Sequence, residues 1–157
     1  MVKYFILIME SLLQIGGFLM SIKWKDAYSC NIAEIDKQHK KLFEIGSRIF
    51  DLLSLGDEFD RYDEIAQIFD ELRDYTIFHF GYEEELMKKH GYEGYEDHKI
   101  EHDFFIKKLQ RLEKTDFDNK QTESLVQIIS FIADWITGHI LKTDMKYKGF
   151  FNSKKIC

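Results

Sequence analysis

The sequence predicts an all-α protein: an up-down-up-down antiparallel four-helix bundle preceded by an N-terminal arm. From about residue 35, apolar residues recur at alternating steps of three and four, which is the spacing of a buried helical stripe. Proline is absent, so nothing interrupts long helices. With 45% hydrophobic and 32% charged residues among 157, the composition is that of one globular domain, which we place at residues 21–157.

Four separate stripes define the helices. The first begins near Ile35 and is stopped by Gly56, and the second begins near Tyr62 and ends at Lys88, Lys89 and Gly91. The third stripe covers residues 95–112, and the fourth covers residues 125–139. The joints around 56–60, 91–94 and 115–120 are short, so neighbouring helices are expected to be antiparallel.

Residues 1–20 differ in composition, because Lys3 and Glu10 are their only charges. A signal peptide needs a small-residue cleavage site, and none is obvious. A membrane anchor needs about 20 clean apolar residues, yet Glu10 and Gln14 lie in mid-span. We favour a third interpretation, in which Met20 is the natural start, and expect membrane contact only if residues 1–20 are an anchor.

Charge and cysteine content limit the partners. The net charge of -6 argues against nucleic acid, whose phosphates need a basic face. Cys30 and Cys157 form no CxxC motif, so we expect free thiols in a reducing cytoplasm. A monomer is the expected state.

Polar residues interrupt the apolar stripes. Five histidines and one glutamate occupy stripe positions, and each buried polar group costs about 1–3 kcal/mol unless it is paired. In an antiparallel bundle, the starts of the first and third helices lie beside the ends of the second and fourth, so all six are expected at one end of the interior. Asp144 follows one turn later and is expected to fold back onto the same place. The full set is His39, His79, Glu83, His98, His102, His139 and Asp144.

Seven such side chains exceed the four ligands of a structural zinc ion. A nitrogen-rich set suits iron, copper, zinc or nickel, and bridging carboxylates with octahedral N/O geometry suit a pair of irons. If both carboxylates and one solvent-derived oxygen bridge two metals, a metal with three histidines has six ligands. Its neighbour with two histidines has five ligands and one open position, where a small molecule can bind.

The pattern H…HxxxE…HxxxH…HxxxxD resembles the hemerythrin family, specifically its single-domain bacterial forms. The resemblance covers about residues 22–150 and rests on the segments 35–43, 79–84 and 98–102, on His139 with Asp144, and on the arm at 24–28. It implies two non-haem iron ions with a bridging oxo or hydroxo group. The implied ligands are His98, His102 and His139 on the six-coordinate iron, His39 and His79 on the five-coordinate iron, and Glu83 and Asp144 as bridges.

The resemblance also implies a function, reversible O2 binding for transport, storage or delivery, and an apolar O2 pocket at Trp135, Ile136 and Ile140. A protein of this kind is not an enzyme. Three alternatives stay open at this point: a sensor of O2 or nitric oxide, a di-iron peroxidase or nitric-oxide-reducing enzyme, and a bundle without metal. The sixth histidine, His90, lies off the pattern, and we interpret it as structural.

Overall fold

The computed structural model describes residues 23–54, 62–113 and 121–157. The segment 1–20, the predicted stop at Gly56 and the joint at 115–120 lie outside these ranges. The helices are α1 (Ala33–Ser54), α2 (Tyr62–His90), α3 (Tyr95–Glu113), α4 (Gln121–Trp135) and α5 (Asp144–Ser153), with a π-helical segment (Ile136–Thr143) joining α4 to α5 and a short 3-10 helix (Asp26–Tyr28) in the arm.

The four long helices pack as a ring. α1 lies against α2 and α4, and α3 lies against the same two helices. Neighbours in the ring are therefore neighbours in the chain, apart from the closing pair of α1 and α4. This arrangement confirms the predicted four-helix bundle.

Two apolar clusters fill the interior. The larger one occupies the bundle and includes Leu42, Phe80 and Ile140, whereas the smaller one closes one end and includes Ile35 and Met87. In α1 the stripe passes from Ile35 in the smaller cluster to Leu42 in the larger one, and the polar position at residue 39 lies between them. The polar stripe positions therefore lie between two apolar layers that shield them from water.

The N-terminal arm and α5 hold the closed end together. The ammonium of Lys148 donates to the Ser29 carbonyl at 2.7 Å, and the Asn152 amide donates to the Cys30 carbonyl at 3.1 Å. The Asp36 carboxylate accepts the backbone N–H of Cys30 at 2.9 Å, which anchors the arm to the first turn of α1. Sequence reasoning ended the fourth helix near residue 139 and did not find α5.

The turn between α2 and α3 uses a left-handed residue. Gly91 has φ +67°, and the backbone N–H of Tyr92 donates to the Met87 carbonyl at 3.0 Å. This i→i+5 bond after a left-handed glycine is a Schellman motif, which satisfies a carbonyl in the last turn of the helix. The predicted end of the second helix at Lys88, Lys89 and Gly91 is confirmed.

Both cysteines are free; Cys30 is buried and Cys157 is exposed. Burial, followed by the nearby Asp36 carboxylate, raises the pKa of the Cys30 thiol.

Within the described ranges, no helix has the length and apolar content needed to cross a bilayer.

Glycine substitutions test this account of the α2–α3 turn. Gly91→Ala should lower the free energy of unfolding by about 1 kcal/mol, because a Cβ is strained at positive φ. Gly81→Ala is the matched control: this helical glycine has nothing within 4 Å of a built Cβ, so alanine should raise stability by up to about 1 kcal/mol. Urea denaturation of both variants measures the difference. Equal effects would contradict the role assigned to Gly91.

Candidate metal centre

Seven buried polar side chains converge at one end of the bundle, between the two apolar clusters. Each is at most 2% exposed. α1 supplies one of them from its start, α2 supplies two from its end, α3 supplies two from its start, and the π-helical segment and α5 supply one each. The structure thus brings together every donor singled out from the sequence: His39, His79, Glu83, His98, His102, His139 and Asp144.

The π-helical segment sets the spacing of the last two donors. The backbone N–H of Asp144 donates to the carbonyl of His139, an i→i+5 bond. Such bonds widen a helical turn, so residues five apart come close to the same face, and short π-helical stretches are frequent at functional sites. The Nε2 atom of His139 consequently lies 3.1 Å from Asp144 Oδ1. The sequence predicted that Asp144 would fold back towards the other donors, and the widened turn is how the chain brings it there.

Glu83 lies between two groups of histidines. Its Oε2 atom is 3.2 Å from His102 Nε2, 3.4 Å from His98 Nε2 and 3.8 Å from His79 Nε2. Its Oε1 atom is 3.8 Å from His39 Nε2. Donor atoms within 4.8 Å of one another fall into two sets that share this glutamate: Glu83 with His98, His102 and His139, and Glu83 with His39 and His79.

Asp144 spans the same two groups. Its Oδ1 atom is 3.4 Å from His98 Nε2 as well as close to His139, whereas its Oδ2 atom is 3.2 Å from His39 Nε2. Each of the two carboxylates therefore has one oxygen beside the three-histidine group and the other beside His39. This arrangement leaves carboxylate oxygens within reach of a cation held by either histidine group.

Three histidines are oriented by acceptors outside the cluster. The Nδ1–H groups of His79, His102 and His139 donate to Gln38 at 2.9 Å, Glu84 at 3.2 Å and Glu101 at 2.6 Å, respectively. Such bonds fix the tautomer so that Nε2 carries the lone pair, as they do around metal-bound histidines. Sequence reasoning missed these three acceptors. Each of these acceptors is the immediate sequence neighbour of a predicted metal ligand, and this adjacency is the signal by which it could have been found.

The inward-facing atoms fit a metal and do not satisfy one another. The Nε2 atoms of His102 and His139 lie 3.2 Å apart, and because both Nδ1–H groups donate outward, these two nitrogens can share at most one proton between them. Five further buried atoms have no hydrogen-bond partner: His39 Nε2, His98 Nε2, Glu83 Oε2 and both Asp144 oxygens. Buried polar atoms in native proteins almost always have partners, so this set calls for cations.

The charges also suit a cation. Burial alone would raise the pKa values of Glu83 and Asp144, but for both the neighbouring imidazoles outweigh it and the pKa is lowered, so the carboxylates stay ionised. Burial lowers the pKa of His79 to about 4, which keeps this ring neutral. Against the effect of burial, Asp144 and then Glu83 raise the pKa of His139 to about 9. A metal ion would replace that proton.

Tyr147 contacts the cluster from α5. It is fully buried, and its hydroxyl donates to Glu83 Oε1. Burial, followed by the charges of Asp144 and Glu83, raises its pKa well above the usual value, so the phenol remains a neutral donor. Tyr147 therefore holds the glutamate in place without adding charge. His90 lies apart from the cluster, edge-on to Phe151 at 6.2 Å.

Aromatic rings wall the cluster on the core side. Phe80 stacks on His102 with ring centroids 3.7 Å apart, and Trp135 stacks on His139 at 3.9 Å. An enclosed cavity beside them has room for about one water-sized molecule and is lined by Leu42, Leu72, Thr76, Phe105, Ile132, Trp135 and Ile140. Two of the three residues expected at an O2 pocket, Trp135 and Ile140, thus line a real cavity. The side chain of Ile136 is outside the described structure.

Fold and donor set together define a cation-binding four-helix bundle, and sequence comparison identifies its family. The profile of the Hemerythrin HHE cation binding domain matches residues 30–151. The chain belongs to the hemerythrin family.

Individual relatives agree with this assignment. A bacteriohemerythrin of Clostridium acetobutylicum is 39% identical over 124 residues, which cover 79% of this chain and 96% of the relative. A bacteriohemerythrin of Methylococcus capsulatus is 32% identical, covering 76% and 88%, and a hemerythrin-like protein of Naegleria gruberi is 32% identical, covering 80% and 90%. A solved structure of a leucine-to-phenylalanine mutant superposes with a TM-score of 0.65 at 26% identity, covering 81% of this chain and 94% of that one.

Substitution of either spanning carboxylate tests the site. Glu83→Ala and Asp144→Ala should each lose nearly all bound metal, because each removes a ligand and a negative charge from both histidine groups. His90→Ala, a histidine outside the cluster, should bind as much metal as the wild type. Metal analysis after loading and gel filtration measures the content. If His90→Ala lost metal as completely as His79→Ala, the site as described would be wrong.

Proposed function

We propose that this protein binds O2 reversibly at a pair of non-haem iron ions. The observation that supports it most directly is the two-sided position of Glu83 and Asp144 between a three-histidine and a two-histidine group. In this proposal both carboxylates and one solvent-derived oxo or hydroxo group bridge the irons. The protein ligands are His98, His102 and His139 on one iron and His39 and His79 on the other.

The unequal histidine count creates the binding position. With three bridging groups, the iron on the three-histidine side would have six ligands, whereas its neighbour would have five. When bound, the iron pair supplies an open coordination position and the electrons that O2 binding draws on. The residues of the chain determine where that position lies and what reaches it.

A small apolar cavity lies within one helical turn of both histidine groups, so an open position on the two-histidine side would face apolar residues. Leu42 lies three residues after His39, and Thr76 lies three residues before His79, so residues one helical turn away line the cavity. Trp135 and Ile140 also line this cavity. These mostly apolar groups limit the access of water to the space beside the donors. We assign Trp135 and Ile140 to this O2 pocket.

Positioning and charge are contributed by the residues around the donors. Gln38, Glu84 and Glu101 hold three imidazoles in the metal-binding tautomer, and the Tyr147 hydroxyl holds Glu83. The rings of Phe80 and Trp135 restrict the rotation of the imidazoles on which they stack. Sensors and di-iron enzymes would use the same donors, so the reversibility of O2 binding distinguishes them.

Iron loading and O2 titration test this proposal. The purified protein, loaded anaerobically with Fe(II), should bind two irons per chain. Addition of O2 should produce a new visible absorption spectrum that disappears when O2 is removed, and the cycle should repeat. Asp144→Ala, treated in the same way, should give no such spectrum.

Other outcomes would contradict the proposal at different points. One metal per chain, or a clear preference for zinc, would defeat the di-iron site. Two irons that oxidise rapidly and irreversibly with O2 would retain the site but replace the carrier function by a sensor or an enzyme.

A further inference from the structure

Helix α3 carries the most exposed large apolar side chains of the described structure. Ile100 is 66% exposed and Phe104 is 65% exposed. They border an open groove between α3 and α4 of about 610 Å³, whose other side contains Phe131, Trp135 and Gly138. Contiguous exposed apolar surface of this kind marks an interaction site more often than a solvated face.

On the same face of α3, acidic and basic residues are separated along the length of the helix. Asp97 and Glu101 lie towards the start of the helix, and Lys108 and Arg111 lie towards its end. Steps of three and four residues place all four on the face that contains Phe104. Phe104 is at the middle of this stripe, seven residues from Asp97 and seven from Arg111.

We propose that this face of α3 binds the same face of a second copy of the chain, with the two α3 helices antiparallel and Phe104 at the two-fold axis. A two-fold interface must be complementary to itself, so a residue before the axis meets the residue equally far after it. Asp97 then meets Arg111 of the second copy, and Glu101 meets its Lys107, the residue next to Lys108. In an antiparallel pair, the acidic start of each α3 helix therefore lies beside the basic end of the other.

The apolar residues suit this packing as well. Phe104 meets its counterpart at the axis, and Ile100 lies one turn away on the same face. Aromatic residues at the centre of a contact with charges at its rim are the usual arrangement of protein interfaces. A dimer of this kind differs from the monomer expected from the sequence.

The interface would also cover the outer side of the metal centre. Glu101, which holds the His139 ring, is 40% exposed in its side chain and lines the groove together with Trp135. A second copy packed on α3 would close this groove. The contact surface is chiefly a single helix face, so we expect a reversible dimer whose population rises with protein concentration.

Sedimentation velocity of the full-length, iron-loaded protein over a concentration series tests the proposal. The wild type should pass from monomer to dimer, and Phe104→Asp should raise the dissociation constant by roughly tenfold or more, as expected for a central aromatic anchor. Phe78→Asp is the matched control, because Phe78 is 55% exposed but lies on α2. It should leave the dimer unchanged.

A charge exchange makes the test specific for the antiparallel pairing. Asp97→Arg and Arg111→Asp should each weaken self-association, because each places like charges opposite one another. Mixed in equal amounts, the two variants should form heterodimers, since both cross-pairs are then attractive. A wild type that stays monomeric at every concentration, association that survives Phe104→Asp, or a mixture that associates no better than its components would each overturn the proposal.

Discussion

The burial of two ionised carboxylates among five imidazoles is the constraint on which the rest of this structure depends. Glu83 and Asp144 are fully buried, and three of their four oxygen atoms have no hydrogen-bond donor among the described residues. Uncompensated charges in a protein interior cost several kcal/mol each. The arrangement is stable when cations occupy the space between the donors, so metal binding and folding of this end of the bundle are coupled.

The bundle meets this constraint with features at several levels. Antiparallel packing brings the donors of four helices together, and the π-helical segment adds Asp144 to the face that carries His139. The smaller apolar cluster, formed with α5, closes the end of the bundle and keeps water out. Outer acceptors, of which Glu101 is partly exposed, orient the imidazoles and connect the buried site to the surface of α3 and α4.

Sequence periodicity was sufficient to predict the bundle and to pick out six of the seven buried donors, because a polar residue in an apolar stripe is an anomaly that stands out. Residues that support the site but do not differ in polarity from their neighbours on the helix could not be identified from the sequence. Gln38, Glu84 and Glu101 resemble ordinary polar neighbours on a helix until the structure shows which imidazole each contacts. The π-helical segment depends on a backbone bond, and only the five-residue step from His139 to Asp144 hinted at it. The residues of α5 pack against the arm, a contact between distant parts of the chain that no local pattern encodes.

The most direct test of the central claim is the anomalous scattering of iron in crystals of the loaded protein. The account predicts two iron peaks in each chain, close enough to share bridging ligands. One should lie among His98, His102 and His139 and the other beside His39 and His79, with Glu83 and Asp144 contacting both. A single peak, or a second peak away from these histidines, would contradict it.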